Sequence, residues 1–390
     1  MLLTATLCLL AAGAVMVYSA SSARDLLGSG GDGTAFLVKY VIYGGLGLLA
    51  LHLLTRVRLE RVRALTPTLV FIALGLVFLT LIPGLGVEVN GGRRWLGAGP
   101  LQFQPSELLK LALVLYAARL LASTPERVKT IKALAGPLAL VVGSGVVLVA
   151  MQPDLGTALV ICMTMAAMLV AAGVPLRQLA YIGGGLAVLI AIFAVLEPYR
   201  RARLTAFVDP WQDAGGAGFQ SVQGQIAVGS GGMFGVGLGQ SVQKIFYLPE
   251  AHTDFVLAVV GEELGVAGIG VLLFLYGMIA WAGLRAAKAA KGAYAKLTAA
   301  GLTSLILCQA SLNVFTVLGL APLTGVPLPF ISYGSSNLMV LLAAMGLLLN
   351  IAAGGTAASR PKRRPVRPPT LRAVTGGGKK RAPARRRATG

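Results

Sequence analysis

Acidic residues are scarce in this chain: 14 in 390, against 34 lysines and arginines, for a formal net charge of +20. Charged residues of both signs make up 12%, where an ordinary soluble domain carries about 25%, and that class is excluded on this ground. The three cysteines, Cys8, Cys162 and Cys308, lie inside apolar runs with no pairing or metal-ligand spacing. They read as small core residues, and neither a disulfide framework nor a zinc site is expected. No basic start precedes the first apolar run, which therefore reads as a membrane span rather than a cleaved leader. No internal repeat is evident, which weighs against transporters built from paired repeats. The glycine-rich stretch GSGGMFGVGLG at 229–239 lacks the strand–turn–helix setting of a dinucleotide fingerprint and reads as a close-packed loop.

What the chain has instead is apolar sequence, 56% of its residues. A bilayer needs about 20 apolar residues per helix. The pattern predicts an all-α polytopic membrane protein with about ten spans, roughly 3–20, 36–55, 67–86, 105–122, 134–151, 155–173, 178–197, 254–284, 297–319 and 336–353. Residues 1–355 form the membrane domain, with a long extracytoplasmic loop at 198–253, and 356–390 form a basic cytoplasmic tail. The tail has no acid and little to bury, so disorder is expected, and its basic residues suit anionic lipid headgroups next to the last span better than nucleic acid. Arg56, Arg58, Arg61, Arg63, Arg127, Lys129, Lys132, Arg285, Lys288, Lys291 and Lys296 fall on one side, which the positive-inside rule makes cytoplasmic. The loop around Arg93, the segment 198–253 and the turn 320–335 are then external.

Ionisable groups within apolar sequence are costly and point to function. Asp254, in LPEAHTDFVLAVVGEELG, stands where a span begins. It is either a helix N-cap or a general base at the water–lipid boundary; Glu250 and His252 are rivals nearby, the histidine more as a hydrogen-bonding partner. Glu262 and Glu263 lie deeper in the same apolar run and are expected to face other helices. Glu107 and Lys110 share a helix face at i,i+3 and are expected to form an internal ion pair. Asp154, after Gln152-Pro153, reads as an N-cap with a second role towards a polar headgroup. Arg93 and Arg94 sit in a flexible GGRRW stretch where two guanidiniums would grip phosphate or contact headgroups; Arg200, Arg201 and Arg203 form a second external basic cluster with the same two readings.

The motifs GGRRWL, QPSELLKL, QPDLGTA, YLPEAHTDF, GEELG and PFISYG, in this order, resemble the SEDS family of bacterial membrane proteins, and GLGQSVQKIFYLPEAHTDF is more similar to its division branch than to its elongation branch. The resemblance implies a ten-helix fold and a polymerase of lipid II, the undecaprenyl-diphosphate-linked disaccharide pentapeptide, at the bacterial inner membrane. It places the essential acid on Asp254, the intramembrane ion pair on Glu107 and Lys110, and the acid of the Gln-Pro-Asp motif on Asp154. It implies a class B penicillin-binding transpeptidase and other division-site proteins as partners. For an inverting glycosyl transfer with a diphosphate leaving group, Arg93, Arg94, Arg200, Lys244 and a divalent cation, Mg²⁺ or Mn²⁺ shared with the diphosphate, are the expected sources of positive charge. No dedicated metal site is expected. A lipid II flippase and a non-catalytic scaffold are the rival functions. One departure is Ser335, where the family usually has a second glycine after Ser-Tyr-Gly, which questions the geometry of the last external turn.

Overall fold

The computed structural model describes residues 1–28, 33–89, 91–98, 101–123, 136–181, 183–185, 205–245 and 247–354. Its principal helices are α1 (Leu2–Gly28), α2 (Ala35–Leu54), α3 (Leu59–Leu81), α4 (Pro105–Ser123), α5 (Pro137–Met151), α6 (Leu155–Ala171), α7 (Phe219–Ser230), α8 (Val256–Ala289), α9 (Ala293–Val317) and α10 (Ser335–Ala352). Six of them, α1, α2, α3, α8, α9 and α10, are long and apolar enough to cross a membrane by length and composition, and α5 and α6 are shorter apolar helices. The expected span at 178–197 lies largely outside the described residues, as do Arg200 and the whole basic tail from 356.

The third span starts earlier than the sequence suggests. The span is expected from about 67, yet Pro67 lies inside α3, which begins at Leu59. A proline has no N–H for the carbonyl four residues back; here that carbonyl, on Arg63, accepts instead from Arg119 Nη1 of α4 at 2.8 Å. The helix ends at Leu81, and the following residues turn into a small antiparallel sheet in the order β1 (Gly86–Val89), β2 (Gly92–Ala98) and β3 (Leu101–Phe103). Val89 pairs with Gly92, and Gly91 takes φ 74°. Asn-Gly is the strongest short hairpin signal, so this sheet was legible where only an external loop was expected.

The eighth apolar run is not one helix. At Gly265 (φ 69°, ψ −165°) the backbone leaves helical geometry, in a region essentially reserved for glycine. The glycine-rich stretch after α7 fills the break. Val236 and Gly237 donate to the carbonyls of Glu262 and Glu263 at 2.9 and 3.1 Å, while Val266 and Ala267 donate to Gly232 and Met233, both at 3.0 Å. Four main-chain groups at the break thus find partners in the loop, and a Cβ on Gly235 or Gly231 would collide with the main chain of α8.

The core gathers around α4, α9 and α10, which bury residues on nearly every face. α2 and α10 meet through small residues: a Cβ on Gly346 would meet the Leu51 carbonyl, and one on Gly47 the Leu342 side chain. Close backbone approach of this kind drives helix pairing where lipid supplies no hydrophobic force.

Candidate functional site

The segment between α9 and α10, residues 318–334, carries no regular structure beyond turns, although Val326, Leu328, Phe330 and Ile331 are buried. Irregular backbone inside a membrane protein needs every carbonyl satisfied from elsewhere. Five side chains do this here. Thr316 donates to Pro322 O at 3.3 Å, Asn313 to Val326 O at 2.8 Å, Gln309 to Pro327 O at 2.9 Å, Tyr276 to Pro329 O at 2.5 Å and Tyr40 to Phe330 O at 2.5 Å. Tyr40 of α2, Tyr276 of α8 and Gln309, Asn313 and Thr316 of α9 thus act as clamps on this segment. Ser335 follows it as the first residue of α10 after Gly334, whose φ of −170° is extended. Ser335 is not among the residues with positive φ, so the replacement of the usual glycine places no strain on this turn.

Asp254 lies against the same segment. α8 begins at Val256 with Phe255 as its cap residue and no side-chain cap bond, so Asp254 is not the N-cap its sequence position also allowed. Its carboxylate is half-buried. One oxygen, Oδ1, accepts from the Thr253 hydroxyl at 3.0 Å, and the other lies 3.8 Å from where a Cβ on Gly325 would stand. The Asp254 carbonyl accepts from Asn313 Nδ2 at 2.7 Å. Glu250 lies across Thr253: its Oε2 is 3.3 Å from the same hydroxyl, and its backbone takes φ 53°. His252 is buried, its ring 4.4 Å from that of Phe36 and 5.8 Å from that of Tyr333, and its carbonyl accepts from Tyr333 N at 2.9 Å. It acts as a wedge between the start of α2 and the clamped segment. Burial raises the Tyr333 phenol above its usual value, with the neighbouring Tyr43 adding to the shift. Lys39, absent from the sequence-based candidates, brings its ammonium to 5.7 Å from the Phe36 ring. A lysine within the first turns of an apolar span was the signal for it.

Glu107 and Lys110 meet at 2.9 Å with side chains 1–2% exposed. Lys110 also donates to Gln309 Oε1 at 2.8 Å, and Asn337 of α10 donates to Glu107 Oε2 at 2.7 Å. Gln309 and Asn313 stand one turn apart on α9, so the ion pair reaches the clamped segment through Gln309, next to the point where Asn313 reaches Asp254. Asp154 does cap α6, Oδ1 accepting from Thr157 N at 3.0 Å, and its other oxygen accepts from Gln104 Nε2 at 3.3 Å. At 4% exposure its carboxylate is committed to the fold.

Two expectations about cations need correction. Arg93 and Arg94 do not form a joint clamp, because successive residues of a strand point to opposite faces. Arg93 pairs with Glu88 at 3.2 Å in the open. Arg94 turns inward and donates from Nε and Nη2 to the carbonyls of Gln152 and Pro153, at 3.0 and 2.6 Å; it pins the sheet to the turn that carries Asp154. Lys244 is likewise not presented to a ligand. It is 5% exposed, pairs with Glu263 at 2.7 Å and donates to Ser19 of α1 at 3.0 Å. Glu262 beside it accepts from the Ser241 hydroxyl at 2.5 Å and from Val242 N at 3.0 Å. The adjacent acids thus bond to α1 and to the loop after α7 rather than facing lipid. Among the described residues no three His, Cys, Asp or Glu side chains converge to hold a metal ion.

Comparison with known proteins adds a family to this geometry. The FTSW_RODA_SPOVE family model, described as "Cell cycle protein", matches residues 1–356. Stage V sporulation protein E of Bacillus subtilis (strain 168) is 38% identical over 354 residues, covering 90% of this chain and 96% of that protein. The probable peptidoglycan glycosyltransferase FtsW of Thioalkalivibrio sulfidiphilus is 44% identical over 354 residues, 88% of this chain and 87% of that one. Among solved structures, a chain from work described as "Structural coordination of polymerization and crosslinking by a peptidoglycan synthase complex" superposes with a TM-score of 0.77 at 32% identity, covering 92% of this chain and 98% of that chain. The rod shape determining protein RodA of Thermus thermophilus gives 0.65 at 30% identity, covering 90% and 95%.

Proposed function

The chain belongs to the FtsW/RodA/SpoVE family of multi-pass membrane proteins, and from that premise we propose that it works as an FtsW-like peptidoglycan glycosyltransferase, polymerising lipid II with Asp254 as its general base. The observation that carries this reading is the setting of Asp254: a carboxylate one residue before the cap position of α8, standing against a glycine of an irregular segment and held from behind through its own carbonyl. Such a group is positioned for chemistry rather than for closing a helix end.

In this mechanism an acceptor sugar hydroxyl approaches Asp254. The carboxylate takes its proton as the oxygen forms a bond to the anomeric carbon of the donor. The bond from that carbon to the lipid diphosphate breaks on the opposite face, and the diphosphate carries away the electron pair. A departing diphosphate needs no strong general acid, so one carboxylate suffices, unlike the two of glycoside hydrolysis. Positive charge at the leaving group lowers the barrier; Lys39, Arg93 and Arg200 are the side chains assigned that task, in place of Arg94 and Lys244. A divalent cation would take its ligands from the diphosphate itself, and no step is assigned to it. The site faces the outside of the bacterial inner membrane, the role is septal wall synthesis, and the partner is a single-span class B penicillin-binding transpeptidase; the similar chain within a peptidoglycan synthase complex supports that pairing.

The test is purified protein, with and without the transpeptidase, given lipid II in detergent. Wild type should yield glycan chains, which neither a flippase nor a scaffold makes. Asp254→Asn should yield none while remaining folded and bound to its partner. Normal polymer from that variant would end the assignment of the base.

A further inference from the structure

We infer that Asn313 is a positioning residue for the reaction, setting the Asp254 carboxylate at its working distance from the wall it faces; the inference rests on the reading of Asp254 as base. The main chain of Asp254 is bonded from α9, a different helix from the one it precedes. The carbonyl is taken by Asn313 Nδ2 at 2.7 Å, and the same nitrogen donates to Val326 O at 2.8 Å.

Val326 follows Gly325, the residue the carboxylate faces. Gly325 has φ +66°, a conformation that lets the chain pass close to the acid without a side chain between them. One amide nitrogen therefore sets the spacing between the base and the segment opposite it. Few side chains can do this. The task needs two N–H donors on one atom at short reach and no net charge, which an asparagine amide supplies and a leucine, serine or aspartate does not.

The cost of placing that amide here is visible. Asn313 is 1% exposed, and its Oδ1 has no hydrogen-bond partner among the described residues. Buried polar atoms are nearly always paired, so a residue kept with one atom unsatisfied is kept for what its other atoms do. The neighbouring Gln309 accepts from Lys110 through Oε1 and donates from Nε2 to Pro327 O, which holds the residue after Val326 as well.

The experiment uses the full chain purified in detergent with lipid II as substrate, measuring kcat and KM across pH for wild type, Asn313→Leu, Asn313→Gln and Asp254→Asn. Asn313→Leu should lower kcat by about tenfold or more with KM within about threefold, and should move the acid limb of the kcat profile, because the carboxylate no longer meets the same surroundings. Asn313→Gln, with the same donors one methylene further out, should recover part of the loss. Inactive Asp254→Asn together with wild-type kcat and an unmoved acid limb in Asn313→Leu would overturn this inference and leave the base in place. Active Asp254→Asn would overturn both. Should Asn313→Leu fail to stay monodisperse, Asn313→Gln decides: reduced kcat at unchanged KM supports positioning, and wild-type kcat overturns it.

Discussion

Lys110 and Glu107 form an ion pair at 2.9 Å with both side chains almost fully withdrawn from solvent. Removing one member strands the other charge in a low-dielectric interior, which costs about 3–5 kcal/mol, whereas replacing both with apolar residues of similar volume is often close to neutral. Lys110→Met should therefore damage thermal stability in detergent more than Lys110→Met combined with Glu107→Leu. A double variant as unstable as the single one would show that the bonds to Gln309 and Asn337, rather than the charge balance, hold this region.

Lys244 gives a parallel case with a functional edge. Lys244→Met leaves Glu263 unpaired and should markedly lower the yield of monodisperse protein. Adding Glu263→Leu should restore much of it. In that double variant KM for lipid II should match wild type, because the ammonium is spent on Glu263 and Ser19; a several-fold rise in KM would return Lys244 to the substrate site.

The two adjacent arginines should separate cleanly. Arg93→Gln breaks an exposed pair with Glu88, worth about 0–1 kcal/mol, and should leave the melting temperature in place. Arg94→Lys loses the fork that reaches two carbonyls at once and should lower it by several degrees, about 1–3 kcal/mol. Equal effects would contradict the opposite facing of the two side chains.

Gly265 should accept no other residue. Its φ and ψ suit glycine alone, and a Cβ there would stand 2.5 Å from Gly235 N and 2.6 Å from Met233 O. Gly265→Ala should abolish accumulation of folded protein on size-exclusion chromatography, whereas Gly270→Ala, with open space at its Cβ, should not.

Thr253 carries a hydroxyl within 3.0 Å of Asp254 and 3.3 Å of Glu250. A single proton serves one carboxylate at a time. Thr253→Val should lower kcat for glycan synthesis by about tenfold, the loss of one hydrogen bond to a charged group at about 1.5 kcal/mol, and Thr253→Ser should keep most of it. Serine and valine variants of equal activity would remove the hydroxyl from the site.

Much of the architecture was legible because its cause is local. Apolar runs of spanning length betray themselves without knowledge of neighbours, and nine of the ten expected spans coincide with helices among the described residues. The Glu107–Lys110 pair was readable from its spacing, and the Asp154 cap from Pro153 before it. Asp254 was legible as an outlier in an apolar context, but whether it holds the cap position was not, because that depends on where helix α8 begins. The start of α3 at Leu59 was not legible: a proline's helix-breaking tendency is local, while the compensation at Pro67 by Arg119 comes from a helix distant in sequence.

Sequence alone therefore determined the membrane class, the order of spans and the short roster of ionisable residues, since burying charge in lipid is expensive wherever it occurs. The tertiary structure alone decided which charges are spent on each other. Lys244 found Glu263 and Ser19, and Arg94 found two carbonyls, through contacts between different elements of the fold. It also decided that Asn313, unremarkable in a helical run, would hold the Asp254 main chain, because hydrogen bonds across a bundle depend on how helices pack and not on the order of residues within any one of them.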